Sequence, residues 1–337
     1  MSHSRRQAIK RFFFRGFLFF SIGYFTLFFA YNYLVTGHDD EKYLIHKFLN
    51  NKENIEAIAI GTSHAWAINF KALGINGIGL GTGGRDLQEC RYILEFLLSQ
   101  ENNAIERVFI SYSYFSLYQD PRGKSDSITD TRVFMYNNIP SWKMLPGDYK
   151  NFIVGKFFPF IQSDHWRSIA IRQAKKVMRL KAKLTSETAE AGNSEPSARQ
   201  DRKKIPLKKI RARIAEQHGI HERAKVKKEY DIKAHNLKVL RGIIKMLKAE
   251  GIEVVFFTPP YYYKYTELYN DSYVKEMKGE MKDLVRNRGV TYLDYSTNED
   301  FIYDPGLFQD ADHINFEATK LLAKKITEDL GGVGSSQ

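Results

Sequence analysis

Cysteine is almost missing from this chain: Cys90 is the only one among 337 residues. One thiol excludes an internal disulfide framework and any metal site made of paired cysteines. It fits either redox compartment, and Cys90 is expected to serve as a small buried hydrophobe. Acids are missing from Met1–Arg15, where Arg5, Arg6, Lys10, Arg11 and Arg15 stand. Charge of either sign is then missing from Gly16–Val35 (GFLFFSIGYFTLFFAYNYLV). About 20 uncharged, mostly apolar residues suffice to cross the hydrocarbon core as a helix. A cleaved leader would have a shorter apolar core and a small-residue cleavage site, and neither is found. A buried globular helix would keep a polar face, whereas Phe is scattered around this one. A retained anchor is therefore expected at 16–35, after a basic tail at 1–15. The acidic run His38–Glu41 follows it, and basic-before, acidic-after places the N-terminus in the cytoplasm and the remainder outside.

The charges that are present lean one way. Lys and Arg total 51 against 39 Asp and Glu, a formal net charge of +12. Such a balance suits anionic surroundings, whether lipid headgroups, acidic glycan or nucleic acid. Nucleic acid rests on charge alone, and the topology argues against it. Aromatic residues make up 14% of the chain and hydrophobic residues 43%, enough for a large core.

After the anchor, short apolar runs alternate with amphipathic stretches across 50–330. Strands are expected at Glu56–Ile60, Asn76–Leu80, Arg107–Ser111, Glu253–Thr258 and Val290–Leu293. Helices are expected at Asp86–Ser99, Asp231–Glu250, Tyr273–Arg288 and Phe316–Leu330. This alternation predicts an α/β domain whose mainly parallel sheet is covered on both faces. An insertion at 119–230 interrupts it. Its first part, 119–166, is rich in aromatics and turn residues and reads as an ordered, cap-like segment. Its second part, 167–228, is dense in Lys and Arg around a polar centre, Thr185–Asp201, that is expected to be mobile. The flanking basic sequence reads either as helices lying near the bilayer or an anionic glycan, or as a solvated charged face. No internal repeat is apparent.

Two short motifs carry chemistry. Gly61-Thr62-Ser63-His64 follows the first strand, which puts the Ser63 hydroxyl at the carboxyl end of the sheet, where open α/β sheets hold ligands. If Ala65–Phe70 begins a helix, its N–H groups face an anion forming beside Ser63. The bland reading is a Ser that only caps that helix. Asp310-Ala311-Asp312-His313-Ile314-Asn315 precedes the last helix. A Ser hydroxyl needs a base, which a neutral His supplies, and the His needs a carboxylate to fix its tautomer. Asp310 can serve from the same loop; Asp312 is its rival, but an adjacent side chain usually points away. Asp312 and Asn315 are also candidate caps of the following helix.

The other motifs are ambiguous. His64 reads either as a substrate-orienting group or as a surface or helix-start histidine. Tyr261-Tyr262-Tyr263, after Pro259-Pro260, either lines an acyl or glycan pocket or packs on the core. His218, His221 and His235 lack metal-site spacing, and no metal or other cofactor is expected. Gly79–Gly84 matches GxGxxG, but it follows the second strand and no acid ends the third, so a dinucleotide site is not expected.

Together, GTSH after the first strand, the Gly-rich turn after the second and DxxH before the last helix resemble the SGNH/GDSL hydrolase superfamily. The resemblance covers roughly Ile55–Ser116 and Asp231–Leu330. It implies a three-layer α/β/α sandwich with a flavodoxin-like parallel sheet. It implies Ser63 as nucleophile, Asp310 and His313 as its partners, and backbone N–H groups of Ser63 and of Gly83 or Gly84 as oxyanion donors. Two departures stand out. Thr62 replaces the usual Asp before Ser, and Ser111–Tyr118 lacks the Asn that normally supplies another oxyanion donor, leaving Ser113 as its candidate substitute. With the anchor, the layout is similar to the membrane-attached branch, including the DltD-type proteins of teichoic-acid D-alanylation and the SGNH partners of membrane-bound O-acyltransferases. That implies transfer or removal of an acyl group on a cell-envelope polysaccharide outside the membrane, with a multi-span O-acyltransferase as partner. A non-catalytic glycan- or partner-binding accessory is the alternative.

Overall fold

The computed structural model describes residues 3–35, 40–120, 205–226 and 231–333, with isolated positions at 136, 149, 152, 153 and 157. Apart from 119, 120 and those isolated positions, the cap-like segment lies outside the described residues, as does the polar centre of the basic insertion. The chain divides into two compact units. One contains a 33-residue helix, α1 (His3–Val35). Its Lys10–Ala30 stretch, 21 residues, is long and apolar enough to cross a membrane, about 30 Å at 1.5 Å per residue. None of that stretch is buried, and Phe13, Phe17, Phe20 and Phe29 all stand exposed.

The second unit contains a five-stranded parallel sheet of β1 (Ala57–Gly61), β2 (Gly77–Gly81), β3 (Arg107–Ser111), β4 (Glu253–Thr258) and β5 (Thr291–Asp294), in the order β2-β1-β3-β4-β5. Each strand lies within a residue of its expected place, because a short apolar run buried on both faces has no other home. Ile58, Ile60, Phe109, Phe256 and Phe257 are fully buried, each contributing about 1.5–3 kcal/mol relative to exposure.

Among the described residues, the helices of this unit are α2 (Asp40–Asn51, of which Leu44 onward falls here), α3 (Phe70–Leu73), α4 (Leu87–Leu98), α5 (Leu207–Val226), α6 (Ile232–Ala249), α7 (Tyr263–Leu268), α8 (Asp271–Arg288), α9 (Glu299–Ile302) and α10 (Phe316–Val333). From β1 the chain steps one way to β2, then reverses past β1 to β3 and onward. With right-handed crossovers, that reversal puts α3 on one face and α4, α6 and α8 on the other. The packing agrees: α4 lies against α6, and α3 against α10. Helix α4 starts where the Gly-rich turn ends because Asp86 and Glu89 form a capping box. The reversal leaves a crevice outside the carboxyl ends of β1 and β3, the position where such sheets take their ligands.

Helix α5 has a buried face that the charge of the basic insertion did not announce. Ile210, Ile214, Gln217 and His221 are buried on one of its faces, and His221 stacks on Tyr273 of α8 with ring centroids 3.7 Å apart and planes at 7°. The three- and four-residue spacing of these positions makes one inward stripe beneath the charges. This part of the insertion is docked on the domain along that stripe, with Lys208, Lys209, Arg211, Arg223 and Lys225 left exposed on its other faces.

Candidate active site

Gly61 ends β1 with φ +135°, and a side chain there would collide with Ser111 of β3. The chain can thus turn sharply out of the sheet, and a short 3-10 turn, Ser63–Ala67, begins with Thr62 as its cap. This turn holds the Ser63 hydroxyl above the β1/β3 crevice. On the other side Asn315 Oδ1 accepts from Ala318 N at 3.0 Å and starts α10, which fixes the loop in front of it. In that loop Asp310 Oδ1 accepts from the backbone N–H groups of Asp312 (3.1 Å) and His313 (3.0 Å).

The two motifs meet. Ser63 Oγ lies 2.7 Å from His313 Nε2, and His313 Nδ1 lies 2.9 and 3.1 Å from the two Asp310 carboxylate oxygens. These are the distances that proton transfer between a nucleophile, a base and its orienting group requires. Burial alone would lower the proton affinity of His313. The hydrogen bond to Asp310, then that to Asp312 and both negative charges, raise its pKa to about 9.

Behind this line lies a second one. Asp312 does not point away from its neighbour as expected. It is fully buried, with Oδ1 3.4 Å from His313 Nδ1 and Oδ2 3.2 Å from His64 Nε2. Arg213 Nε donates to both Asp312 oxygens at 2.9 and 3.0 Å, and Gln217 Nε2 donates to Oδ2 at 2.7 Å. Tyr265 in turn donates to Gln217 Oε1. Burial opposes the Asp312 charge, but the hydrogen bonds to His313 and His64 and the charge of His313 hold its pKa well below the usual carboxylate range. The same burial pushes His64 down, outweighing the pull of Asp312. His64 is therefore neutral and Asp312 anionic.

Several expectations need correcting. His64 is neither a surface histidine nor open to bulk solvent: it is 2% exposed, with Nδ1 2.5 Å from Ser113 Oγ and 3.4 Å from Tyr261 OH. Ser113 is fully buried, so its hydroxyl is engaged by His64 and is not a donor to an oxyanion in the cleft. Ser113, His64 and Asp312 repeat the composition of a catalytic triad, but its Ser cannot reach a substrate. Tyr261 and Tyr262 are buried too. Tyr261 packs on Tyr114, Tyr265 and His64 at 5.0, 5.2 and 5.4 Å, and Tyr262 packs on Phe308. They build the wall behind the site and not its lining. Gly83 and Gly84 form the turn after β2, where Arg85 N reaches Thr82 O at 3.3 Å.

The cleft in front of Ser63 has a volume of about 300 Å³. His64, Asp312 and His313 border it, together with Trp66, Phe70, Pro259, Gln309 and Phe316. Trp66 is 60% exposed and Phe316 65%. The indole N–H of Trp66 donates to Gly81 O at 2.8 Å, and a Cβ on Gly81 would press on that ring at 3.0 Å. The ring is thus pinned with its face open. His64, Asp312 and His313 also offer ligand atoms within 4.8 Å of one another. Arg213 and Gln217 already occupy both Asp312 oxygens, so a guanidinium stands where a metal ion would need them.

The fold and site define an α/β chain with a Ser–His–Asp hydrogen-bonded line at the carboxyl end of its sheet. The chain matches no protein-family model and no curated protein.

Proposed function

We propose that the protein is a membrane-anchored serine esterase or O-acyltransferase of the SGNH type. The observation that carries this reading is the unbroken line Ser63 Oγ–His313 Nε2–Asp310, at 2.7 and 2.9 Å. In its neutral form His313 takes the Ser63 proton while Oγ attacks the acyl carbonyl. The leaving alcohol departs with the proton that His313 returns, and an acyl-serine remains. A second hydroxyl, from water or a sugar, then gives its proton to His313 and attacks the acyl carbon. Ser63 recovers its proton as the new acid or ester leaves. Asp310 orients the ring, and the buried Asp312 anion stabilises the imidazolium through space. Backbone N–H groups of Ser63 and of the Gly83–Gly84 turn are the oxyanion donors in this reading.

The anchor and the charge bias around it support placing the domain outside the cytoplasm, next to a multi-span O-acyltransferase that supplies acyl groups. The acceptor class in this reading is a cell-envelope polysaccharide. One observation favours the accessory alternative: with the Ser113 hydroxyl tied to His64, no side-chain donor among the described residues replaces the missing Asn, and losing one donor costs roughly 100- to 1,000-fold in rate. A fluorophosphonate probe separates the two. Wild-type protein should label and Ser63→Ala should not; equal labelling of both would sink the nucleophile assignment.

A further inference from the structure

We infer that Arg213, with Gln217, is a positioning residue of this site: from the docked helix α5 it holds Asp312 as a fixed anion and so sets how readily His313 gives up its proton. The inference rests on His313 as the base of the proposed reaction, but its test does not require activity.

Two carboxylates compete for one imidazole N–H. Asp310 reaches His313 Nδ1 at 2.9 Å, from a side chain that is 53% exposed. Asp312 stops at 3.4 Å and has no exposed surface. An unrestrained buried carboxylate beside an imidazole would close to a full hydrogen bond or take up a proton. Arg213 prevents both. Its Nε straddles the two oxygens, Gln217 adds a third donor, and His64 a fourth contact. Each bond fixes the carboxylate plane, and the guanidinium balances its charge. Charge-assisted bonds of this kind are about twice as strong as neutral ones.

Everything charged or titratable around Asp312 acts in the same balance. His64 and His313 face it from the Ser63 turn and the DxxH loop, with rings 4.9 Å apart. Asp310 lies two residues away, and Tyr261, Tyr265 and Tyr269 surround it from the β4–α8 segment. Glu216 shares Arg213, accepting from Nη1 at 2.9 Å. Arg213 is the one Lys or Arg side chain bonded to Asp312 among the described residues. Without it, Asp312 can approach His313, and the net field at both imidazoles becomes more negative. Both changes favour the protonated rings.

The placement of α5 gives this a consequence. The helix enters the domain from the far side of the long insertion and is held by Ile210, Ile214 and the His221–Tyr273 stack. Whatever loosens that docking also releases Asp312. The balance of the site thus depends on a segment remote in sequence.

The test is a titration of the full-length protein in detergent micelles, with histidines carrying ¹³C at Cε1, followed by NMR. His64→Gln and His313→Gln assign the two resonances. In Arg213→Gln the midpoint of His313 is expected to rise by about one unit, with His64 moving the same way. Arg213→Lys, which keeps the charge and loses the two-oxygen grip, should give a smaller rise. Wild-type midpoints in Arg213→Gln, even with a lower melting temperature, would reduce Arg213 to a structural residue and overturn the inference. If Arg213→Gln does not fold, Arg213→Lys decides by the same sign. Fluorophosphonate labelling runs alongside: if wild-type protein fails to label at any pH, the hydrolase reading falls, while the titration still judges Arg213.

Discussion

The outer and inner halves of the site are built in opposite ways. The outer half, Ser63–His313–Asp310, is half open to solvent and is made by two short loops. The inner half, Ser113–His64–Asp312–Arg213–Gln217, is buried except for Arg213, whose side chain is 28% exposed, and draws on four separate segments. Both use a histidine between a hydroxyl and a carboxylate. Only the outer hydroxyl borders the cleft, so chemistry belongs to the outer half and charge balance to the inner. The two carboxylates are where this division can be broken.

Asp310→Ala and Asp312→Asn should fail differently. Asp310 is exposed, so its removal should cost less stability than loss of Asp312, through two loop N–H bonds and the His313 ion pair, while esterase activity on p-nitrophenyl acetate falls by about 100-fold or more, through loss of ring orientation. Asp312→Asn removes the buried anion that Arg213 grips and leaves it only the exposed Glu216. That should cost stability on the order of 3 kcal/mol, read as a lower denaturation midpoint. If Asp312→Asn were stable and inactive while Asp310→Ala stayed active, the roles of the two residues would have to be exchanged.

Proton affinity sharpens the same contrast. His313, raised to about 9, is mostly protonated at neutral pH, and the protonated ring cannot accept a proton from Ser63. Activity should therefore rise with pH until a midpoint near 9, and Asp310→Ala should move that midpoint down. Stability runs the other way. A histidine whose folded pKa lies above its unfolded value of 6.5 stabilises the fold fully below 6.5, and that contribution is lost as pH rises through about 9. A melting temperature measured across this window should fall as activity climbs. A flat activity profile from pH 6 to 10 would remove His313 from the base role.

The same division explains what could be read in advance. Parallel strands announce themselves as short apolar runs, so β1 to β5 were legible to within a residue. The outer half was legible because its geometry is local: three residues separate Asp310 from His313, and Gly61 turns the chain directly into Ser63. The inner half was not. Arg213 reaches Asp312 across 99 residues of sequence, from a run in which it is one of many basic residues. Only the stripe Ile210, Ile214, Gln217, His221 hinted that this helix has a buried face. His64 and Tyr261 misled because burial depends on the α5 packing, which no local pattern announces. Helix α2 also went unread, since Ile45 and Phe48 are the only fully buried side chains among its described ones, too few to make a periodic signal.

Trp66 marks the border between the halves and supports the smallest prediction. It sits three residues after Ser63, yet nothing in GTSHAW distinguished it from an ordinary helix residue. Its N–H is held by Gly81 O, so the ring cannot fold into the core, and its open face lies along the cleft. A rigid aromatic face gives contact area at little entropic cost. Because it does not touch the reacting atoms, Trp66→Ala should raise KM for an ester substrate several-fold, about 1 kcal/mol of lost contact, and leave kcat within about twofold. Gly81→Ala should act more broadly, because its Cβ would meet Thr62 O and Ala65 Cβ at 2.9 Å as well as the ring at 3.0 Å, and so should lower kcat through the Ser63 turn. A drop in kcat in Trp66→Ala, with KM unchanged, would mean that the ring positions Ser63 and not the substrate, moving Trp66 from the cleft wall into the catalytic line.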